Sequence, residues 1–425
     1  MMTFDPSARP HISACCPHFG GRVSAKQNQL NFYAWLLPIR SLKKINAVFP
    51  FFARRTDVDL VRLEPAGLYC AAGNFYIDPW RPVDRAIITH AHSDHASAGH
   101  HHYLVSAEGE HVARWRLGMA AHIETLAYGE TTSINGVRVS LHPAGHILGS
   151  AQVRLEHGGE TWVVSGDYKT QPDPTCSPFE PVRCDVFITE STFGLPIYRW
   201  RDPREVFGEV SDWWRANREA GRATVVYAYS LGKAQRVMMG VDASIGPIYT
   251  HGAVEGLNTA YRASGVALPA TKRVSELERG HDFRGALIVA PPSAQSTTWL
   301  RRFGEYADAF ASGWMQIRGV RRRRAVDRGI TLSDHADWPG LLSAIEGTGA
   351  QRVLVTHGYS EPIVRWLNER GTDAGTLRTA FTGEASGEEA GSAGETSSVE
   401  AGKKETGGAE AAAIEVDANV PATVQ

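Results

Sequence analysis

Short apolar runs, many of them β-branched, recur through the first half of the chain at 58–63, 75–77, 86–89, 137–141, 161–164 and 185–189, separated by Gly, Pro and Asp. Runs of this length between turn residues fit a pleated, half-buried surface and predict strands. From residue 203 the texture changes: amphipathic stretches predict helices at 203–220, 232–239, 338–345 and 361–369, alternating with strands at 224–229, 286–290 and 352–356. Many strands followed by strand–helix alternation predict a layered α/β fold carrying an inserted α/β unit. No internal repeat is visible.

The two ends depart from this pattern. Residues 384–425 are rich in Gly, Ala, Ser and Glu, with no aromatic residue, nine acidic residues and two basic ones, a composition that predicts disorder. Residues 1–56 carry eight basic residues and one acidic residue without clear periodicity, and read as a poorly ordered extension or a misassigned start. The basic head and the acidic tail offset each other. The whole chain of 425 residues has a formal net charge of -2, which excludes a histone-like balance but leaves room for local basic patches. A hydrophobic share of 43% supports a sizeable core. The longest uncharged segment near the start, residues 27–39, has 13 residues. A membrane span needs roughly 20, so neither an anchor nor a signal peptide is expected. The five cysteines (Cys15, Cys16, Cys70, Cys176, Cys184) form no C-x-x-C pair, and a reducing cytoplasm is the expected location.

Chemistry concentrates in the histidines, of which there are 17. Thr89 is followed by His90, His92, Asp94 and His95, directly after a predicted strand. Four potential ligands within six residues, at a strand end that turns sharply, can face two metal ions lying side by side, and imidazole with carboxylate suits zinc. A surface His-rich loop is the alternative. The run His100, His101, His102 has divergent directions and no acidic neighbour, and reads as a solvated loop. Three further ligand candidates, His146, Asp167 and His357, each stand beside Gly after a predicted strand, where Gly lets the backbone turn. Glu190 ends another strand, and His335 lies near acidic residues just before a helix; both are candidates for catalysis. Six arginines, Arg318, Arg321, Arg322, Arg323, Arg324 and Arg328, fall within eleven residues ahead of His335 and offer bidentate contacts to phosphate. Ser230 and Lys233 sit at a strand-to-helix junction, which suits a phosphate or a plain helix cap equally.

In this order, His90, His92, Asp94, His95, His146, Asp167, Glu190, His335 and His357 resemble the motifs of the metallo-β-lactamase superfamily and its β-CASP nuclease branch. Segments 68–83, 312–324 and 332–338 look like the bacterial ligase-associated DNA damage response exonuclease family. The resemblance runs from about residue 57 to 381 and implies a four-layer αββα sandwich. Its parts would be the first part of the metallo-β-lactamase domain at 57–195, a β-CASP domain at 196–315 and the returning part at 316–383. Residues 1–56 would be an addition to the family; no Met lies between Met2 and Met119 to supply a later ATG start.

Carried over, the family implies two zinc ions, with manganese as the other option. One would take His90, His92 and His146, the other Asp94, His95 and His357, with Asp167 shared. Asp78 would sit behind a ligand His. Two such ions roughly 3.5–4 Å apart generate a nucleophile from water at neutral pH. His335 would protonate the leaving 3′-oxygen, and Glu190 would orient it. The implied substrate is DNA, and the implied partners are an ATP-dependent DNA ligase and a helicase. His357 in the last motif resembles the RNA-cutting members of the wider group, so an RNA-processing β-CASP ribonuclease is the runner-up. A small-molecule metallo-hydrolase would not need the insertion or the arginines. A non-catalytic nucleic-acid scaffold would not need the complete ligand set.

Overall fold

The computed structural model describes residues 59–381, so the expected head at 1–56 and tail at 384–425 lie outside the described residues. Three sheets organise the described chain. The first contains β1 (Val61–Glu64), β2 (Gly67–Cys70), β3 (Phe75–Ile77), β4 (Arg85–Ile87), β5 (His102–Ser106) and β6 (Ile123–Leu126), side by side in chain order. Helix α1 (Glu110–Leu117) joins the last two. The second sheet begins with β7 (Thr131–Ile134), β8 (Val137–Pro143), β9 (Ala151–His157), β10 (Glu160–Val164) and β11 (Val186–Ser191).

The chain then leaves for a third sheet. Helix α2 (Pro203–Glu219) leads into β12 (Ala223–Tyr227), α3 (Lys233–Gly240), β13 (Ile248–Thr250), α4 (Gly252–Ala263), β14 (Thr271–Arg273), β15 (Leu287–Ala290), β16 (Tyr306–Ala311), α5 (Arg318–Arg323) and β17 (Arg328–Ile330). All pairings in this sheet are parallel, in the order β14-β13-β15-β12-β16-β17. The expected boundary at 315 falls within this run, ahead of β17. Helix α6 (Trp338–Thr348), β18 (Arg352–Gly358), α7 (Ser360–Asn368) and β19 (Asp373–Thr376) bring the chain back to complete the second sheet, β19-β18-β11-β10-β9-β8-β7.

Alternation along the strands explains the layers. Leu68, Phe75, Ile77 and Ile87 from the first sheet meet Val139, Val153, Leu155, Trp162 and Ile188 from the second in one buried cluster. The residues between them in sequence point the other way. Ala86, Tyr103 and Val105 pack with Ala113 of α1, while Val163, Phe187, Val353 and Val355 pack under Leu341, Ile345, Ile363 and Leu367 of α6 and α7. The result is helix, sheet, sheet, helix: the expected αββα sandwich. Each fully buried Leu, Ile or Phe here contributes about 1.5–3 kcal/mol. The third sheet has its own core, in which Val206, Phe207, Val210 and Trp214 of α2 cover Val226, Leu287 and Val289. The long helix α2 starts at Asp202, whose side chain accepts from the Arg204 N–H, with Pro203 in the first turn.

Helix α4 escapes the sequence pattern because two glycines, Gly252 and Gly256, dilute it. Gly256 has a packing reason: a Cβ there would come within 2.8 Å of the Trp115 indole nitrogen on α1. That close crossing, with Val112, Leu257, Ala260, Tyr261, Ile147 and Leu148, seats the inserted unit on the sandwich.

Candidate metal and catalytic site

The predicted ligands converge at one end of the sandwich, each at or just past the C-terminal end of a strand. His90, His92 and His95 follow β4, His146 follows β8, Asp167 follows β10 and His357 stands on β18. Tight backbone geometry holds them there. Gly166, at φ +56, precedes Asp167, and a Cβ would collide with Thr89 at 2.6 Å; Gly145, at φ +72, precedes His146, and a Cβ would lie 2.4 Å from the Lys169 carbonyl oxygen. Neither position accepts a side chain, which is the physical content of the Gly–ligand spacing.

Asp167 is the centre. Its Oδ2 lies 3.6 Å from His90 Nε2, 3.6 Å from His95 Nε2 and 3.9 Å from His146 Nε2, and its Oδ1 lies 3.0 Å from His357 Nε2. His146 Nε2 is in turn 3.0 Å from His92 Nδ1. Ligand atoms around a tetrahedral zinc with bonds of 2.0–2.1 Å are about 3.3 Å apart.

The other nitrogen of every one of these rings is tied outward. His95 Nδ1 meets Asp78 Oδ2 at 2.7 Å, His146 Nδ1 the Asp334 carbonyl at 2.8 Å, and His92 Nε2 the Leu231 carbonyl at 3.2 Å. His90 Nδ1 faces Thr89 Oγ1 at 3.0 Å and His357 Nδ1 faces Thr356 Oγ1 at 3.2 Å. Both hydroxyls donate elsewhere, to Asp78 Oδ2 and to the Thr189 carbonyl, so each accepts from its imidazole. In their neutral forms the rings thereby keep their protons outside and turn their lone pairs inward, the arrangement that outer hydrogen bonds impose on metal-ligating histidines.

The inward atoms fit a cation and little else. His90 Nε2 and His95 Nε2 are buried with no hydrogen-bond partner among the described residues, and His357 Nε2 and Asp167 Oδ1 have only their ion-pair contact with each other. Unpaired buried polar atoms are costly, and a cluster of them needs a shared counter-group. Burial, with the neighbouring imidazoles, holds His90 and His146 well below the ordinary histidine range, so both favour the neutral, ligating form. Burial opposes charge on His95 too, yet Asp167, Asp94 and Asp78 raise it to about 10. For Asp167, burial pushes the carboxyl up, but His95, His357 and His335 outweigh it and hold it well below the usual range. The second half of the site thus has a surplus of negative charge. Asp94, the remaining predicted ligand, is more exposed and stands at the rim, its Oδ2 3.8 Å from His95 Nε2.

Asp78 is a positive-φ residue, at +45. The strain is sustained because its carboxylate accepts from the Thr89 N–H at 2.7 Å and from the Thr89 hydroxyl while it holds His95.

Beside Asp167 lies a second pair. His335 Nδ1 is 3.0 Å from both Glu190 oxygens and 4.0 Å from Asp167 Oδ2. Glu190 is buried and accepts from the backbone N–H groups of Tyr168 and Thr192. The β11–β18 register slips here: Thr189 pairs with Val355 but Ser191 with Gly358, so Thr356 and His357 together oppose Glu190. Such a bulge re-aims side chains beside a site.

No family model matches the chain. Among curated proteins, a chain named Probable DNA ligase from Opitutus terrae is 32% identical over 310 residues, 72% of this chain and 30% of that one. Endoribonuclease YSH1 of Kluyveromyces lactis is 32% identical over 305 residues, 57% of this chain and 39% of that one. The Cleavage and polyadenylation specificity factor 73 of Drosophila melanogaster is 32% identical over 122 residues, 28% of this chain and 18% of that one. The chain belongs to the β-CASP branch of the metallo-β-lactamase superfamily. It spans well under half the length of each of these relatives.

In this β-CASP protein the residues expected to meet substrate are dispersed. Arg318, Arg321, Arg322 and Arg323 are exposed on the short helix α5; Arg324 is half-buried over the Phe310 ring at 4.2 Å, and Arg328 faces Glu209 at 3.6 Å. Trp314, shortly before α5, packs on Phe193, and Phe193 packs on His335, so the basic helix follows an aromatic wall beside the site. Lys233 is fully buried, its Nζ 3.7 Å from Asp334 Oδ2 and 4.5 Å above the Tyr229 ring. Ser230 is half-buried and not a helix cap: Gly232 opens α3, its N–H bonded to Gln235 Oε1, and the Ser230 carbonyl accepts from Gln235.

The histidine run corrects a sequence expectation. His100 is buried and accepts from the Val83 N–H, and only His101 is solvated, beside Asp84.

Sequence reasoning also missed Asp334 and Arg236. Both are buried, and with Lys169, Asp173 and Lys233 they form an ionic group where α3 meets the sandwich. Their charges, adjacent to His335 or on a helix, were the available signal.

Proposed function

We propose that the protein is a metal-dependent nuclease that hydrolyses phosphodiester bonds of DNA, working as an exonuclease in repair beside an ATP-dependent DNA ligase and a helicase in the cytoplasm. The observation that carries the nuclease reading is the Glu190–His335 pair held against Asp167, which a generic two-metal hydrolase does not need. His90, His92 and His146 would hold one divalent ion, and His95, His357 and Asp94 the other, with Asp167 between them; zinc suits the donors best and manganese is tolerated by such sets. Bound there, two ions would lower the pKa of water and neutralise phosphoryl charge.

The chain's own residues do the rest. Glu190, fixed by two backbone donors, sets the direction of the His335 ring, and His335 delivers a proton to the departing 3′-oxygen. The products would be a 5′-phosphate and a 3′-hydroxyl. The exposed arginines of α5 would hold the phosphate backbone of the strand.

DNA is favoured by the relative named a DNA ligase, which aligns with this chain over 310 residues within a longer polypeptide; segments joined in one chain elsewhere commonly act together. A second reading, an RNA-processing nuclease, is favoured by the endoribonuclease relatives and by His357 at the last motif position. Purified protein with matched 5′- and 3′-labelled DNA and RNA strands, with and without added zinc or manganese, tests both. Stepwise shortening of DNA from one end is expected. Cleavage of RNA alone would reverse the substrate assignment, and metal-independent or absent cleavage of both would remove the nuclease reading.

A further inference from the structure

A second group of metal-type ligands lies on the first sheet, apart from the residues around Asp167. His102 opens β5, His122 immediately precedes β6 and Glu124 follows on β6. The backbone sets their register: β5 and β6 run parallel with Tyr103 opposite Ile123, and the Tyr103 N–H donates to the His122 carbonyl at 2.9 Å. His122 and Glu124 are two residues apart, so they share a face of the strand, and His102 faces them from the neighbouring strand. One ligand atom from each of the three lies within 4.8 Å of the others.

The two imidazoles make the argument. Their Nδ1 atoms are 2.6 Å apart, with ring planes at 69° and centroids 4.6 Å apart. Ordinary N–H hydrogen bonds span about 2.7–3.2 Å. A neutral imidazole carries one N–H and one lone pair, so the two Nδ1 atoms can share one imidazole proton as a hydrogen bond, or turn both lone pairs to a cation after opening to about 3.3 Å. The same signature, two imidazole nitrogens facing each other at 3.0 Å, marks the centre around Asp167 at His92 and His146.

We propose that His102, His122 and Glu124 form a third divalent transition-metal site, of the zinc class, on the edge of the first sheet. Two imidazoles and one carboxylate are a known zinc donor set that leaves a fourth position for water. His122 and Glu124 are exposed, so the ion would exchange with solution. Bridging β5 and β6, it would fasten the edge strand, and its binding energy would add to the stability of that edge. The inference does not rest on the nuclease reading.

The test uses the full-length chain, stripped with a chelator, dialysed against buffered zinc and analysed for zinc per chain. Wild type is compared with His122→Ala and Glu124→Gln, two exposed positions whose change leaves the core intact. Each variant should hold one zinc fewer than wild type, and zinc should raise the melting temperature of wild type more than that of either variant. Equal zinc content in all three proteins would overturn the site. Failure of the Asp167 centre to bind metal would lower all three counts together, so the difference remains readable.

Discussion

Glu190 presents both carboxylate oxygens to a single atom of His335, each 3.0 Å from Nδ1. The carboxylate cannot swing away, because the Tyr168 and Thr192 N–H groups hold its two oxygens separately. The far side of the ring is fixed too, by His146 at a centroid distance of 4.6 Å and Phe193 at 6.0 Å. The orientation of this imidazole is therefore fixed on several sides, with Nδ1 turned to Glu190 and to Asp167.

His335→Ala should lower kcat by about 10²–10⁴-fold while metal content stays near that of wild type. The loss should shrink on a nitrophenyl phosphodiester, whose leaving group needs no proton. Steady-state kinetics on both substrates decides the matter: an equal loss on the two would assign His335 to positioning instead of acid catalysis.

Asp167 lies within 4.0 Å of five imidazoles, so it should be the least replaceable of the expected ligands. Elemental analysis of His122→Ala protein purified without chelator should find two transition-metal ions per chain, and adding Asp167→Ala should lose more metal than adding His90→Ala or His357→Ala. An active wild-type sample with almost no metal would sink the two-ion assignment.

Asp78 tests the outer layer. Asn tolerates the positive φ found there and keeps the shape, but it removes the charge behind His95. Asp78→Asn should weaken metal affinity about 10–100-fold, measured by competition with a chromophoric chelator. Unchanged affinity would mean that Asp78 serves only the turn.

The residues that converge around Asp167 were legible in the sequence because each occupies a strand end beside Gly or within a dense polar motif, and strand ends follow from local patterning. What was not legible arises from non-local packing. Helix α4 was hidden by Gly256, whose reason is the crossing with Trp115 of α1. His100 looked like part of a solvated run, but its neighbours in space, Val83 and Tyr103, bury it. Lys233 read as a phosphate contact, and its fully buried pairing with Asp334 depends on two segments 101 residues apart. Asp337, acidic and near His335, is a helix cap for α6 and accepts from the Trp200 N–H.

The arginines of α5 carry a different kind of prediction, since they are exposed and make no described contact with the ligand cluster. Replacing Arg321, Arg322 and Arg323 with Gln should raise KM and flatten its salt dependence, with kcat on a short strand little changed. A fall in kcat with KM and salt slope unaltered would remove them from substrate binding.

Arg236 joins the inserted unit to the segment bearing His335. Its Nε lies 3.1 Å from Asp173 Oδ2, one NH group donates to the Ser333 carbonyl, and the same group is 3.7 Å from Asp334 Oδ1. Ser333 and Asp334 immediately precede His335, and the Asp334 carbonyl holds His146. All the charged side chains of this group are at most 2% exposed. Arg236→Met should therefore destabilise by about 1–3 kcal/mol, the cost of leaving the buried Ser333 carbonyl unpaired, while Lys169 keeps Asp173 and Lys233 keeps Asp334 paired. Burial raises the Asp173 carboxyl, but Lys169 and Arg236 outweigh it and hold it below the usual range. A depressed carboxyl stabilises the fold above its unfolded value, about pH 3.9, and that stabilisation is lost as pH falls through the lower folded value. Denaturant unfolding should then show the gap between wild type and Arg236→Met widest near neutrality and narrowing in acid. Arg236→Lys should recover part of the stability, because the charge returns without the forked geometry. A gap constant across pH would mean that Arg236 acts through packing alone, and that the ionic group does not hold the segment bearing His335.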